Sequence, residues 1–296
     1  MNYDVVILGG GPAGLTAGIY ASRARLKTLL IERAFCGGQL VMCENVENYP
    51  GYRGGPGIDL TETIRQQAEH FGMETKNSEV TRVDLLGVDK LLVAADGSEI
   101  HAKSVILCLG ARSRRLDVPG EAEFAGRGVS YCAVCDGAFF QDKKIAVVGG
   151  GDTAVEDAVF LTRYASIVNI VHRRDALRAQ RIIQERAFAN PKIEMQWNSV
   201  IKRIEGKDSV EKVVLENVQN KSESELAVDG VFVLIGMDPN TAILQGQVTL
   251  DENGYIPTDE NMQTNVPGVF AAGDARVKLL RQIVTACSDG ATAATA

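Results

Sequence analysis

One short pattern occurs twice in this chain, and it restricts the fold more than any other feature of the sequence. In its first copy, Gly9-x-Gly11-x-x-Gly14 follows an apolar run over residues 4–8. A helical pattern comes next, with Leu15, Ile19 and Tyr20 on one face, and a second apolar run, Thr28-Leu29-Leu30-Ile31, ends at Glu32. Strand, glycine turn, helix, strand and acid in this order make a dinucleotide-binding unit. The first glycine allows the tight turn, the second lets backbone N–H groups approach a pyrophosphate, and the third lets helix and strand pack closely. Glu32 stands about 20 residues on, where a carboxylate accepts hydrogen bonds from ribose hydroxyls. A lone GxGxxG is a weak signal, but here the flanking strand, helix and acid are all present.

The second copy begins 140 residues later, since position 9 becomes position 149. Lys144-Ile145-Ala146-Val147-Val148 leads into Gly149-Gly150-Gly151-Asp152-Thr153-Ala154, then a helix through Val155, Ala158, Val159 and Leu161. The next apolar run, residues 167–171, ends not in an acid but in His172-Arg173-Arg174, with Arg178 four residues further. An acid here accepts from a 2′-hydroxyl, whereas clustered arginines suit a 2′-phosphate. The first unit therefore reads as built for a cofactor with a free ribose and the second for NADPH. A merely solvated charge run is the bland alternative. The position of the arginines just past a buried strand weighs against it.

The units also end alike, in residues 104–111 (closing on Gly110-Ala111) and residues 230–237. Alternating strands precede each ending, over residues 79–102 and 199–228. The segment after 240 repeats neither unit, but it holds another buried strand ending in Gly273-Asp274. The economical topology returns this tail to the first domain. The expected fold is α/β, with two Rossmann-like, three-layer ββα nucleotide-binding domains, the second inserted in the first. The expected boundaries are 1–114 with 245–296 for the first, discontinuous domain and 115–244 for the second, NADPH-binding domain. Turn-rich stretches near Pro119-Gly120 and Gly236 to Asn240 read as the crossings, two short linkers that make a natural hinge. The composition agrees: 45% hydrophobic and 23% charged residues suit a globular core, and 30 glycines in 296 residues fit several tight loops.

Cys132-Ala133-Val134-Cys135, followed by Asp136, lies a dozen residues before the second glycine turn. A CxxC is either a redox disulfide or half a zinc site, and Cys36, Cys43, Cys108 and Cys287 supply no second pair. Redox is favoured, with no metal. NADPH delivers a hydride whereas a disulfide is opened at sulfur, so an intermediary is needed; flavin fills that role, which assigns FAD to the first unit. A carboxylate beside a thiol raises its pKa, so Asp136 reads better as a general acid than as a thiolate stabiliser. A simple turn cap is its bland alternative.

The net charge of −7, without a basic stripe, argues against nucleic acid. No apolar run reaches the ~18–20 residues needed to span a bilayer, and no secretory leader opens the sequence. A cytoplasmic protein is expected, in which paired cysteines are catalytic rather than structural.

The chain resembles the low-molecular-weight (bacterial-type) thioredoxin reductases over essentially its whole length. The resemblance is carried by Gly9 to Gly14, Gly37-Gly38-Gln39-Leu40, Val46-Glu47-Asn48-Tyr49-Pro50-Gly51, Tyr131 to Gly137, Gly149 to Ala154, His172-Arg173-Arg174 with Arg178, Gly273-Asp274 and Arg281-Gln282. It implies a homodimer in which FAD and NADPH domains rotate relative to each other, passing electrons to thioredoxin or a thioredoxin-like protein. By the same resemblance Cys135 is the flavin-facing thiol, Cys132 attacks the partner's disulfide and Asp136 is the acid. Glu32, Gln39, Asn48, Asp274 and Gln282 would hold FAD, and Thr153, Arg173, Arg174 and Arg178 would hold NADPH. Around them the cofactor-binding set takes in Gly9, Gly11, Pro12, Ala13, Gly14, Gly38, Leu40, Val80, Gly110, Ala111, Gly273, Arg281 and Ile283, with Gly149, Gly151, Asp152, Ala154 and His172. Two departures stand out: Ala-Val inside the CxxC where Ala-Thr is commoner, and the extra thiols Cys36 and Cys43, expected to be buried or incidental. The rivals are a same-fold reductase fed by ferredoxin, a dithiol oxidase passing electrons to oxygen, and a flavin redox sensor without turnover. The intact second glycine turn and arginines count against the first.

Overall fold

The computed structural model describes residues 2–43 and 46–296. The first apolar run forms β1 (Asn2–Leu8), the glycine turn follows, and α1 (Pro12–Arg23) starts with proline at a position where no intrahelical N–H is needed. Then come β2 (Thr28–Glu32), α2 (Gly57–His70), β3 (Glu74–Asn77), β4 (Val80–Asp84), β5 (Lys90–Ala94) and β6 (Glu99–Leu107). A short strand, β7 (Ala111–Ser113), leads out to β8 (Val129–Ser130) and α3 (Ala133–Asp136). The second glycine turn joins β9 (Lys144–Val148) to α4 (Asp152–Leu161), followed by β10 (Ile167–Val171), α5 (Arg181–Phe188) and β11 (Ile193–Gln196). A meander of β12 (Ser199–Gly206), β13 (Val210–Asn217) and β14 (Glu223–Ala227) precedes β15 (Gly230–Val233). The chain returns through β16 (Met237–Pro239), then β17 (Val269–Ala271) and α6 (Ile283–Thr295).

Two compact units result, Met1–Arg112 with Asp238–Ala296, and Ser113–Met237. In the first, the sheet order is β3-β2-β1-β6-β5-β4, and β17 also pairs with β6. That is possible because β6 is long. Glu99 to Ala102 pairs antiparallel with β5, and Val105 to Leu107 pairs parallel with β17. Along β1 the side chains alternate between two cores. Val6 and Leu8 face Val83, Leu92 and the returning tail, while Val5 and Ile7 face Leu15, Leu60 and Ala286 of the helices. A strand buried on both faces reads as a continuous apolar run, as it does here. The second unit repeats the plan with a parallel sheet β11-β10-β9-β15-β8 and a separate antiparallel β12-β13-β14. Ile145 and Val147 of β9 face the helices, and Ala146 and Val148 face the meander. Each unit is therefore three layers: helices, parallel sheet, antiparallel strands.

The two crossing strands, β7 and β16, pair with each other. The outgoing crossing thus comes earlier than Pro119-Gly120. That turn lies inside the second unit, where the Pro119 carbonyl accepts from Ile204 N–H at 2.9 Å. Leu116 and Val118 already pack on the core there. On the return, Asp238 to Leu244 belongs to the first unit because Leu244 is buried in its core and Asn240 N–H donates to the Gly110 carbonyl. Among the described residues, no helix is long and apolar enough to cross a membrane.

Candidate redox and nucleotide sites

Cys132 and Cys135 form a disulfide with Cα atoms 5.3 Å apart, at the start of the short helix α3. Both are half-buried. Cys135 N–H donates to Cys132 Sγ at 3.2 Å, so the turn that brings the sulfurs together also gives Cys132 a donor. Ser130, buried on β8, ties this turn to the following acid. Its hydroxyl donates to Asp136 Oδ2 at 2.6 Å and accepts from Cys132 N–H at 3.1 Å. Ser130 thereby fixes the orientation of the Asp136 carboxyl group relative to the redox turn. Nothing in the linear sequence singles out Ser130; its role comes from strand β8 placing its hydroxyl across the CxxC turn.

In the same unit, α4 begins on an uncapped Gly151, leaving first-turn N–H groups for an anion. Ala154 is buried and Thr153 exposed at that terminus. A Cβ on Gly149 would run into Ala154 and the Leu234 carbonyl, which is why the turn demands glycine there. His172 is buried beneath Gly150, and its Nε2 has no hydrogen-bond partner among the described residues. Burial first, and then the charges of Arg178, Arg174 and Arg173, hold its pKa below the ordinary histidine value. All three arginines are exposed, free to meet a dianion. Asp152 is different: its carboxylate oxygens accept from Gln180, at 2.7 and 3.1 Å.

In the first unit, a Cβ on Gly14 would collide with the Gly9 carbonyl, whereas one on Gly11 would meet nothing within 4 Å. The turn is closed where helix packs on strand and open where a phosphate would approach. α1 has no side-chain cap and no acid in its first turn, both favourable to an anion. Glu32 braces the turn, accepting from Gly10 N–H at 2.7 Å through Oε2 and from Ala34 N–H at 3.1 Å through Oε1. Gly38 comes close to Gly11, and Gly273 to Ala13 and thus to Pro12 at the same helix start. The Gln39 amide donates to the Ala111 carbonyl next to Gly110. The Asn48 amide donates to Gln282 Oε1 at 3.0 Å, and Gln282, just before Ile283, caps α6. Arg281 lies over the Tyr255 ring and reaches the Asp274 carbonyl at 3.4 Å. Leu40 is buried among the helices and Val80 in the opposite core with Leu8 and Ile31. Asp274 Oδ1 is buried with no partner among the described residues, and burial pushes its carboxyl above the usual range. A buried acceptor without a donor is costly, and a ligand hydroxyl would satisfy it. The open turn, the braced acid and this orphaned acceptor together fit a flavin dinucleotide. Cys36, Cys108 and Cys287 are free thiols, and burial, with Glu32 nearby, pushes the Cys36 thiol up and makes it less reactive.

Asp289 is a residue that motif reading misses. Buried on α6, it accepts from Gly273 N–H at 3.0 Å, Arg276 Nη1 at 3.1 Å and Lys278 Nζ at 2.6 Å. It fixes the Gly273-Asp274 turn from behind. Its only signal in the sequence is an acid within a helix whose other residues after Val284 are small. Asp289→Ala takes away the carboxylate that two nearly buried cations share, and is expected to cost about 3–5 kcal/mol. The shift of the urea midpoint measures this; a loss below about 1 kcal/mol would mean that both cations escape to water.

Residues 3–290 match the pyridine nucleotide-disulphide oxidoreductase family, to which the chain belongs. It is an oxidoreductase with a redox-active disulfide. Within that family it is similar to thioredoxin reductases. It is 50% identical over 300 residues to that of Peptoclostridium acidaminophilum, covering 99% of this chain and 95% of the relative. It is also 50% identical over 293 residues to that of Bacillus subtilis, covering 99% and 92%. Among solved structures, thioredoxin reductase from Streptococcus pyogenes matches with a TM-score of 0.94 at 46% identity, covering 99% of this chain and 96% of that one.

Proposed function

We propose that this chain is a flavoprotein thioredoxin-disulfide reductase, using FAD in the first unit and NADPH in the second to reduce thioredoxin or a thioredoxin-like protein. The observation that carries the reading is the Cys132–Cys135 disulfide in the same unit as an intact glycine turn and three exposed arginines. Bound FAD supplies what neither a nicotinamide nor a disulfide has alone, the ability to take a hydride and return the electron pair to sulfur.

The chain's own residues do the rest. Backbone N–H groups at the starts of α1 and α4 bind phosphates, and Glu32 and Asp274 accept from hydroxyls. Once the disulfide is reduced, the Cys132 thiolate attacks the partner's disulfide, forming a mixed disulfide and expelling one partner thiolate. Cys135 then attacks the Cys132 sulfur, which restores the internal disulfide and releases the second partner thiol. Two electrons leave the enzyme. Asp136, oriented by Ser130, supplies the proton to a departing thiolate.

The reading extends to a cytoplasmic homodimer with no role for nucleic acid or membrane. The acidic net charge of −7 supports the former exclusion. Anaerobic titration of the holoprotein tests the core of the proposal. The visible flavin band is expected to bleach at low NADPH and only at much higher NADH. Failure to bleach with either nucleotide would overturn the assignment of the electron donor.

A further inference from the structure

The loop that carries the arginines is fastened to the second glycine turn through Ala179 and Gln180, which no sequence motif marks. Leu177 and Ala179 are buried in the helix-side core, which leaves Arg178 between them facing outward. The Gly150 carbonyl accepts from both Arg178 N–H, at 2.7 Å, and Ala179 N–H, at 3.1 Å. Just beyond, Asp152 Oδ1 accepts from Gln180 N–H at 2.7 Å and Asp152 Oδ2 from Gln180 Nε2 at 3.1 Å. These bonds bracket Arg178 on its C-terminal side and bind its backbone to the turn itself. The Arg178 guanidinium lies near Gly151, 3.7 Å from where a Cβ would stand.

A carboxylate in the first turn of a helix repels a phosphate drawn to that terminus, so Asp152 is poorly suited to be a phosphate ligand. Its hydrogen bonds go to Gln180 instead. We propose that Asp152 and Gln180 form a latch that holds Arg178 in place, making both of them positioning residues for recognition of the nucleotide's 2′-phosphate. The inference rests on reading the arginine loop as the 2′-phosphate site. The latch itself acts only through the loop; loss of the Asp152 carboxylate in addition relieves its repulsion at the start of α4, which strengthens rather than weakens the 5′-phosphate contacts. A residue that touched the ribose directly would affect nucleotides with and without the 2′-phosphate alike.

The test is calorimetric titration of the holoenzyme with 2′,5′-ADP and with 5′-AMP, which differ only in the 2′-phosphate. Gln180→Ala, at an exposed position, removes one hydrogen bond and is expected to weaken 2′,5′-ADP by about 3–10-fold, with 5′-AMP changed by less than about twofold. Asp152→Ala removes both bonds and should weaken 2′,5′-ADP further, about 10–30-fold, without weakening 5′-AMP. The double variant should be no worse than Asp152→Ala, since the two residues are one device. Equal loss of both nucleotides in Asp152→Ala, or undiminished 2′,5′-ADP binding in both single variants, would overturn the latch. Arg178→Ala separates the two levels of the argument. If it fails to weaken 2′,5′-ADP, the arginine loop is not the 2′-phosphate site and the underlying reading fails, whatever the latch variants do.

Discussion

Cys132→Ser is expected to lower thioredoxin turnover by at least about 10³-fold while NADPH still bleaches the flavin at close to the normal rate. A serine hydroxyl carries essentially no anion at neutral pH and cannot replace a thiolate in exchange with a disulfide. The glycine turns, Glu32 and Asp274 are untouched by the change, so nucleotide binding and hydride transfer should survive it. The fold should survive too. Cys132 is half-buried, and the N–H donors around it, from Cys132 and Cys135, keep Ser130 and the new hydroxyl as partners. Rapid-mixing absorbance separates flavin reduction from a thioredoxin-coupled assay of turnover. Persisting thioredoxin reduction would show that another thiol faces the partner.

The second large effect falls on coenzyme choice. Arg173→Ala combined with Arg178→Ala is expected to raise KM for NADPH by about 10²-fold or more, with KM for NADH changed little. Hydrogen bonds from a guanidinium to a phosphate are each worth about 1.5–3 kcal/mol, and two are lost only when the 2′-phosphate is present. Ionic strength gives an independent check. The three arginines are exposed, so their attraction is screened by salt: KM for NADPH should climb with added chloride in the wild type and much less in the variant. An unchanged NADPH preference would remove these arginines from the 2′-phosphate site.

The fold was legible because it rests on periodic and local signals. Apolar runs such as residues 4–8 and 144–148 bounded by glycines can hardly be anything but buried parallel strands. Both became central strands with cores on each side. The doubled pattern likewise announced two three-layer units. The outgoing crossing was harder to locate, because Pro119-Gly120 has the chemistry of any turn and only the packing of Leu116 and Val118 shows that it lies within a unit. At the candidate site, the glycine turns, Glu32 and the CxxC were readable as spacings. Ser130, Gln180 and Asp289 were not. Each acts through a hydrogen bond between segments that the fold brings together: β8 across the redox turn, the arginine loop onto α4, and α6 onto the Gly273-Asp274 turn. A serine, a glutamine and an aspartate outside any motif carry no mark of such a partner.

The way β7 and β16 pair has a bearing on how such chains arise. On the first unit's side, Asn240 holds the ends of the break together, its N–H on the Gly110 carbonyl and its amide on the Leu109 carbonyl. On the second unit's side, Arg114 N–H meets the Gly236 carbonyl at 3.0 Å. Host and guest are each already closed at the junction. A segment with adjoining ends can be spliced into a surface turn, lost from it or exchanged for another without rebuilding either core. The architecture is thus a socket: natural recombination, or a protein engineer, can change what the guest binds while the host stays as it is.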